Sequence, residues 1–369
     1  MAKRIVLLGS TGSIGQQTLE IVQQNSPQFE IVALGAYGNN KVLFEQQIKQ
    51  FKPKKAATVL DNGQIAVSNL AAVKCDIVLN AINGSVGIFA SAKALQSGNI
   101  LALANKESLV AGGQYLLSLT KFSEQIIPLD SEHSAIWQCL KSGRVDEVSR
   151  FILTASGGPF RTYTYEQLKT VTVKQALQHP TWNMGPVVTI NSATMVNKAL
   201  EIIEAHYLFG VDISKIDVVL QPSSQIHSMV EFYDGSTIMQ LSPPNMKLPI
   251  ALAINYPNRL NRAVQPESFA ENLKLDFQPV NSQIFPIIEF TKTFMKQDER
   301  LAIVFNAANE ELVKAFLNNK ISYLDIINLL QKIVSGYKIS CDIVNITSII
   351  QIENKVRELT NQFIDERIK

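Results

Sequence analysis

Short unbroken apolar runs alternate with amphipathic stretches along the first 130 residues of the chain. Arg4-Ile5-Val6-Leu7-Leu8, Glu30-Ile31-Val32-Ala33-Leu34, Ala56-Ala57-Thr58-Val59-Leu60, Asp76-Ile77-Val78-Leu79-Asn80 and Ile100-Leu101-Ala102-Leu103-Ala104 read as buried strands. Between them, residues 18–23, 42–51, 86–97 and 108–119 read as helices. The alternation predicts a mostly parallel, doubly wound sheet. Ile126-Ile127-Pro128-Leu129-Asp130 closes it and leads into a helix from about Ser134.

The pattern changes after residue 147. Arg150-Phe151-Ile152-Leu153-Thr154 is a strand delivered into the turn Ala155-Ser156-Gly157-Gly158-Pro159. Residues 160–186 are loop-rich, and a helix is expected over 194–208. Strands follow at 216–220, 226–232 and 237–241, the last two joined by the turn Tyr233-Asp234-Gly235-Ser236. Residues 258–285 look irregular, and 299–318, 323–334 and 349–364 read as helices. The fold class is therefore α/β, with a Rossmann-like N-terminal domain (1–148, its last part from about 122 leading into a site). A central α+β domain (149–258), a linker (259–285) and a C-terminal helical domain (286–369) complete it.

A chain of 369 residues suits two or three domains. With 34 basic against 32 acidic residues the formal charge is +2, and no basic run is interleaved with aromatics, which argues against a nucleic-acid partner. Cys75, Cys139 and Cys341 form neither a disulfide framework nor a metal motif, and a reducing compartment is expected. No signal-like segment precedes the first strand, and no apolar stretch reaches the roughly 18 residues of a membrane span. A cytoplasmic enzyme fits these features.

Candidate chemistry begins at the first strand, which runs straight into Gly9-Ser10-Thr11-Gly12-Ser13-Ile14-Gly15 and then a helix. Such a turn allows close backbone approach, and free amides at the helix start can receive a pyrophosphate. The spacing is GxxGxxG instead of GxGxxG, so the turn either holds a dinucleotide or is a plain strand–helix connection. The second strand runs into Gly35-Ala36-Tyr37-Gly38-Asn39-Asn40-Lys41 without an acid to take a ribose hydroxyl. That favours NADP over NAD, with Lys41 either the nearest cation or a solvated helix residue.

Asp130-Ser131-Glu132 offers two carboxylates two residues apart. On an extended segment they share one side and suit Mg²⁺ or Mn²⁺ through oxygen; the alternative is a helix cap after Pro128. Asn197, Lys198 and Glu201 share a face by their spacing, on a helix expected to follow Thr189-Ile190-Asn191-Ser192-Ala193. Ser192 near its start, Asn197 and Lys198 are donors for a phosphate, as is Ser156. Glu201 either completes a metal site or is a surface residue neutralised by Lys198. Lys106, in Asn105-Lys106-Glu107-Ser108, faces substrate or belongs to a helix cap. His179 and His227 are better candidates than His206, and Trp182 with Met184 forms a lid or a loop packed by its own aromatic. No GxSxG elbow is present.

Together these strings resemble the 1-deoxy-D-xylulose 5-phosphate reductoisomerase family over nearly the whole chain. Leu103-Ala104-Asn105-Lys106-Glu107-Ser108-Leu109-Val110, Asp130-Ser131-Glu132-His133, Ile226-His227-Ser228-Met229-Val230 and Phe305-Asn306-Ala307-Ala308-Asn309-Glu310 carry the resemblance further. It implies a homodimeric enzyme of non-mevalonate isoprenoid synthesis that uses NADPH and a divalent cation. The implied reaction rearranges and reduces the phosphorylated ketose 1-deoxy-D-xylulose 5-phosphate to 2-C-methyl-D-erythritol 4-phosphate.

Residue by residue, the resemblance implies Asp130, Glu132 and Glu201 as ligands of one Mg²⁺, Mn²⁺ or Co²⁺. Ser156, Ser192, Asn197 and Lys198 match substrate-phosphate positions, and Ser131 and Lys106 lie near the reacting end. His179 is a substrate-side, catalytic histidine, Trp182 and Met184 are the lid, and His227 is a further active-site histidine. The implied cofactor contacts are Gly9, Ser10, Thr11, Gly12, Ser13, Ile14, Gly15, Gly38, Asn39, Asn40, Asn105, Glu107 and Gly185. Three departures stand out: Gln221-Pro222-Ser223-Ser224 for His-Pro-Gln-Ser, Ser242-Pro243-Pro244-Asn245-Met246-Lys247 for Gly-x-Pro-Asp-Met-Arg, and Asn39 where a basic or small residue is usual.

Overall fold

The computed structural model describes every residue except Asn183, Glu271, Cys341, Val344 and Lys369. Two expectations touch those positions, the thiol of Cys341 and the Asn183 step of the lid string, and both lie outside the described residues. The chain divides into two compact units, Met1–Trp137 with Asn245–Glu267, and Gln138–Pro244 with Ser268–Lys369. Among the described residues no helix is long and apolar enough to cross a membrane.

The first unit is built on six parallel strands, β1 (Lys3–Leu8), β2 (Phe29–Ala36), β3 (Lys55–Thr58), β4 (Ile77–Asn80), β5 (Ile100–Leu103) and β6 (Ile126–Pro128). Their spatial order is β3-β2-β1-β4-β5-β6, so the winding reverses between β1 and β4, the Rossmann switch point. Ile5, Val6, Leu7 and Leu8 are fully buried, as are Ile77, Val78 and Leu79. Helices cover both faces, which is why these strands read as unbroken apolar runs. Each such side chain contributes about 1.5–3 kcal/mol on burial.

The crossovers are α1 (Ser13–Gln24), α2 (Lys41–Phe51), α3 (Val59–Asn62), α4 (Gln64–Asn69), α5 (Gly87–Gln96), α6 (Lys106–Ser118) and α7 (Ser131–Cys139). Two local expectations need correction. The strand expected over 56–60 stops at Thr58, whose hydroxyl caps the Asp61 amide and turns Val59 and Leu60 into a helical turn. Ser131 and Glu132 are not extended but occupy the first turn of α7, which begins three residues before the expected start.

In the second unit a mixed sheet runs β10-β9-β7-β8-β11, with β7 (Val148–Ala155) parallel to β8 (Ile216–Leu220) and antiparallel to β9 (Ile226–Phe232). The predicted hairpin joins β9 to β10 (Thr237–Leu241), and β11 (Gln278–Pro279) adds an edge inside the irregular stretch. Between β7 and β8 lie α8 (Tyr165–Leu168), α9 (Val173–Ala176), α10 (Pro186–Ala193) and α11 (Val196–Phe209). The helix expected over 194–208 is α11, starting two residues later after Met195, which has φ +60, and it is preceded by α10, which was not expected. Ser192 lies near the C-terminal end of α10 and not at a helix start.

Helix α12 (Lys247–Asn255), in the first unit, was not anticipated from the sequence. The remaining helices are α13 (Ile287–Gln297), also unanticipated, α14 (Leu301–Leu317), α15 (Tyr323–Gly336) and α16 (Ile346–Ile368). The unusual Gln221 has a structural part. Buried to 1% exposure, it accepts the Gln225 amide at 2.8 Å and donates to the Ser223 hydroxyl at 2.7 Å, closing the turn that feeds β9.

Candidate active site

In the first unit the glycine turn sits at the switch point. Gly9 has φ +86, and a Cβ there would lie 2.3 Å from the Ala81 carbonyl oxygen at the end of β4. A Cβ on Gly15 would lie 2.3 Å from the Gly9 oxygen, so the turn and α1 touch through bare backbone. No side chain caps α1, whose first amides remain available to an anion. From α2, Gln47 donates to the Ser10 carbonyl at 2.9 Å and ties the turn to the second crossover.

At the end of β2, Asn40 caps α2 by accepting the Leu43 amide at 3.1 Å. Lys41 pairs with Asp61 at 2.8 Å. The end of β2 and the turn after it carry no acid, yet the fold supplies one from α3, where Thr58 and Leu60 lie against Gly38. Asp61 escaped sequence reading because its approach depends on β3 lying beside β2.

Asn105 and Glu107, at the start of α6, shape the loop after β4. Asn105 donates to Glu107 at 2.7 Å and to the Gly84 carbonyl at 3.0 Å, while the Gly84 amide donates to Glu107 at 3.3 Å. Between them, Lys106 turns to the next strand end and pairs with Asp130. Burial pushes the Asp130 carboxyl up, but Lys106 and His133 outweigh it and hold it well below the usual carboxylate range. Ser131 donates to the Glu132 carboxylate. Half-buried carboxylates and a hydroxyl at one helix start make an all-oxygen donor set of the kind Mg²⁺ and Mn²⁺ take.

In the second unit, Ser156 leaves the end of β7 and lies 3.0 Å from His179 Nε2. His179 Nδ1 accepts the backbone N–H groups of Thr181 at 3.2 Å and Trp182 at 2.8 Å. With Nδ1 accepting twice, the neutral ring carries its proton on Nε2, which donates to Ser156. Burial holds the His179 pKa below the ordinary imidazole value. The Trp182 ring stands edge-on to His227 at 6.3 Å between centroids, and His227 Nε2 lies 3.2 Å from the Ser242 carbonyl. Met184 and Gly185 lead into α10, with Gly185 at its N-cap position.

The first two turns of α11 carry the expected shared face, and it points inward. Lys198 and Glu201 form an ion pair with side chains only 4% and 1% exposed, and Asn197 donates to the other carboxylate oxygen. A surface pair would be solvated; a buried one is costly to assemble and is retained where charge is needed. The reading of Glu201 as a neutralised surface residue is therefore excluded by its burial.

A Rossmann sheet with an uncapped helix start, in one chain with an α/β unit that buries a lysine–glutamate pair beside Asn197, fits a nucleotide-dependent enzyme. The comparisons narrow this class. A family model described as 1-deoxy-D-xylulose 5-phosphate reductoisomerase matches residues 5–70 and 55–113, and its C-terminal domain model matches 126–209. A further DXP reductoisomerase C-terminal domain model matches 241–359. The 1-deoxy-D-xylulose 5-phosphate reductoisomerase of Rhodococcus jostii is 48% identical over 345 residues, covering 90% of this chain and 86% of the relative. That of Corynebacterium glutamicum is 44% identical over 384 residues, covering 99% and 98%.

Solved structures agree. The Zymomonas mobilis reductoisomerase in complex with NADPH superposes with TM-score 0.90 at 33% identity over 99% of each chain. A DOX-P reductoisomerase crystallised with NADPH, fosmidomycin and magnesium gives TM-score 0.90 at 32% identity over 98% of each chain. The chain belongs to the 1-deoxy-D-xylulose 5-phosphate reductoisomerase family.

Proposed function

We propose that the chain rearranges and reduces 1-deoxy-D-xylulose 5-phosphate to 2-C-methyl-D-erythritol 4-phosphate, in isoprenoid-precursor synthesis. NADPH and one divalent cation, Mg²⁺ or Mn²⁺, are its cofactors. When bound, NADPH supplies the hydride and the cation polarises substrate oxygens as a Lewis acid. The observation that carries the reading is the buried Asn197–Lys198–Glu201 face, which a plain dehydrogenase does not require.

The residue roles follow from chemistry and family pattern. Gly9 to Gly15 cradle the cofactor pyrophosphate at the uncapped start of α1, with Gly38, Asn39 and Asn40 beside the ribose end. Asn105, Glu107 and Gly185 are further cofactor contacts in this reading. Asp130, Glu132 and Glu201 are the cation ligands in this reading. Ser156, Ser192, Asn197 and Lys198 bind the substrate phosphate, fixing one end of the molecule so that binding energy orients the other. Lys106 and Ser131 act near the reacting carbons, and Lys106 holds a proton at Nζ toward Asp130. His179 donates from Nε2 on the Ser156 side. Trp182, Met184 and His227 exclude water from the reacting centre.

On the same grounds the division into a cofactor domain (1–148), a catalytic domain (149–258), a linker (259–285) and a helical domain (286–369) is retained as a proposal. The enzyme works as a cytoplasmic homodimer whose other partner is the phosphorylated ketose. The near-neutral charge of +2 supports the expectation that nucleic acid is not a partner.

The test is NADPH oxidation with 1-deoxy-D-xylulose 5-phosphate, with and without Mg²⁺ or Mn²⁺, and identification of the product. Cation-dependent formation of the branched tetrol phosphate is expected. Turnover at full rate without a divalent cation would show a plain NADP-dependent dehydrogenase instead.

A further inference from the structure

The string Phe305-Asn306-Ala307-Ala308-Asn309-Glu310 helps to mark the family but has no part in the roles above. In the structure it forms buried turns of α14, and Asn309 (1% exposed) donates from Nδ2 to Asn191 Oδ1 at 3.0 Å. Asn191 is itself buried, one residue before Ser192. From the start of α15, Tyr323 (3% exposed) donates its hydroxyl proton to the Ala193 carbonyl at 2.6 Å, one residue after Ser192. The third side is backbone: a Cβ on Gly158 would lie 2.8 Å from the Ser192 carbonyl oxygen. Ser192 is thus flanked by two buried hydrogen bonds from the C-terminal helices, and its own carbonyl rests on the turn that carries Ser156.

The segment needs such support. Met195, between α10 and α11, holds φ +60, a left-handed conformation that a side-chain-bearing residue keeps only when its surroundings over-determine it. Asn309 also leaves its Oδ1 without a hydrogen-bond partner in the described structure. A buried amide retained with part of its capacity unused is a cost that packing alone does not require. Tyr323 sits in an apolar setting shared with the Phe160 and Phe316 rings, and burial pushes its phenol well above the ordinary range, so it remains a donor at every working pH.

We propose that Tyr323 and Asn309 are positioning residues for the substrate-phosphate site. They act through the end of α10 and set where Ser192 stands relative to Ser156 and to the Asn197–Lys198 turn of α11. The inference rests on the reading of Ser192 as a phosphate ligand.

The test compares Tyr323→Phe, Asn309→Ala and Ser192→Ala, alone and as Tyr323→Phe/Ser192→Ala, in the full-length enzyme with Mg²⁺. Steady-state kinetics, NADPH affinity by fluorescence titration and thermal midpoints are recorded for each. Tyr323→Phe removes one oxygen atom and keeps the ring packing. We expect it and Asn309→Ala each to raise KM for 1-deoxy-D-xylulose 5-phosphate at least fivefold, with kcat and NADPH affinity within twofold. The double variant should be no worse than Ser192→Ala, because the hydroxyl acts through that serine. The positioning role is overturned if KM stays within twofold, if the KM effects of Tyr323→Phe and Ser192→Ala multiply, or if kcat and NADPH affinity fall as KM rises. If Ser192→Ala itself leaves KM unchanged, the phosphate reading of Ser192 is what fails, and the positioning role goes with it.

Discussion

His179 Nδ1 accepts the backbone N–H of Trp182 at 2.8 Å, so the imidazole and the backbone of the proposed lid hold each other in place. The Thr181 amide adds a second donor to the same nitrogen. A protonated ring would turn a donor toward two donors. Burial already lowers the His179 pKa below 6.5, its ordinary value. The neutral form thus belongs to the folded state, and the unfolded chain takes up the proton first as pH falls. The lid contact is fully present above about pH 6.5 and is lost as pH drops through the lower folded value. Substrate KM should be flat from pH 7 to 8 and rise only as pH falls through the lowered folded value of His179, and ¹⁵N-resolved NMR should show an Nε2–H tautomer at pH 7.5. An Nδ1–H tautomer would refute the assignment.

Replacing Glu201 by Gln keeps a partner for Asn197 but takes the carboxylate from Lys198, which is 4% exposed. Removing one member of a buried pair costs about 3–5 kcal/mol. A cation ligand is lost at the same time. We expect metal affinity to weaken about 10–100-fold, the thermal midpoint to fall, and NADPH affinity to stay within twofold. Equal losses of metal and NADPH affinity in paired titrations would remove Glu201 from the metal site.

The three glycines of the first turn should not be equivalent. A Cβ on Gly9 or Gly15 would approach backbone to 2.3 Å, which no side-chain rotation relieves. At Gly12 the nearest atom is 3.3 Å away and φ is −78. Gly9→Ala and Gly15→Ala should each destabilise the enzyme by more than about 2 kcal/mol and abolish measurable NADPH binding. Gly12→Ala should fold with a thermal midpoint close to that of the parent. Similar melting of all three variants would contradict the steric account.

Lys41 and Asp61 form an exposed pair beside the Gly38–Asn40 turn. If this turn receives the 2′-phosphate, Lys41→Ala should raise KM for NADPH about three- to tenfold while leaving NADH use unchanged. Asp61→Asn should do the reverse by freeing the ammonium. Both effects should shrink in high salt, since the pair is open to solvent. Identical shifts for NADPH and NADH would place the 2′-phosphate elsewhere.

Much of the first unit was legible because its strands are covered on both faces. Burial of that kind leaves unbroken apolar runs such as Ile5–Leu8, and no distant contact is needed to see them. The errors fall where a local signal competed with a cap. Val59 and Leu60 are β-branched or apolar and read as strand, but the Thr58 hydroxyl turns them into a helix. Ser131 and Glu132 sit after Pro128 in a stretch that reads as extended, and they proved to be the first turn of α7. The Thr189–Ala193 string looked like a lead-in, and its apolar face is a helix of its own.

What the sequence determined by itself was the parallel α/β framework, the glycine turn, and the ordered strings that mark the family. These depend on neighbours a few residues apart, through strand burial, helix spacing and backbone freedom. Tertiary structure alone decided three things that depend on how distant parts of the chain pack. It brought Asp61 to Lys41 and turned the Lys198–Glu201 pair inward, where water no longer screens it. It also set Asn309 and Tyr323 on either side of Ser192, more than 110 residues away along the chain. Burial of a local pair, and hydrogen bonds between residues far apart in sequence, are properties of packing that local spacing does not specify.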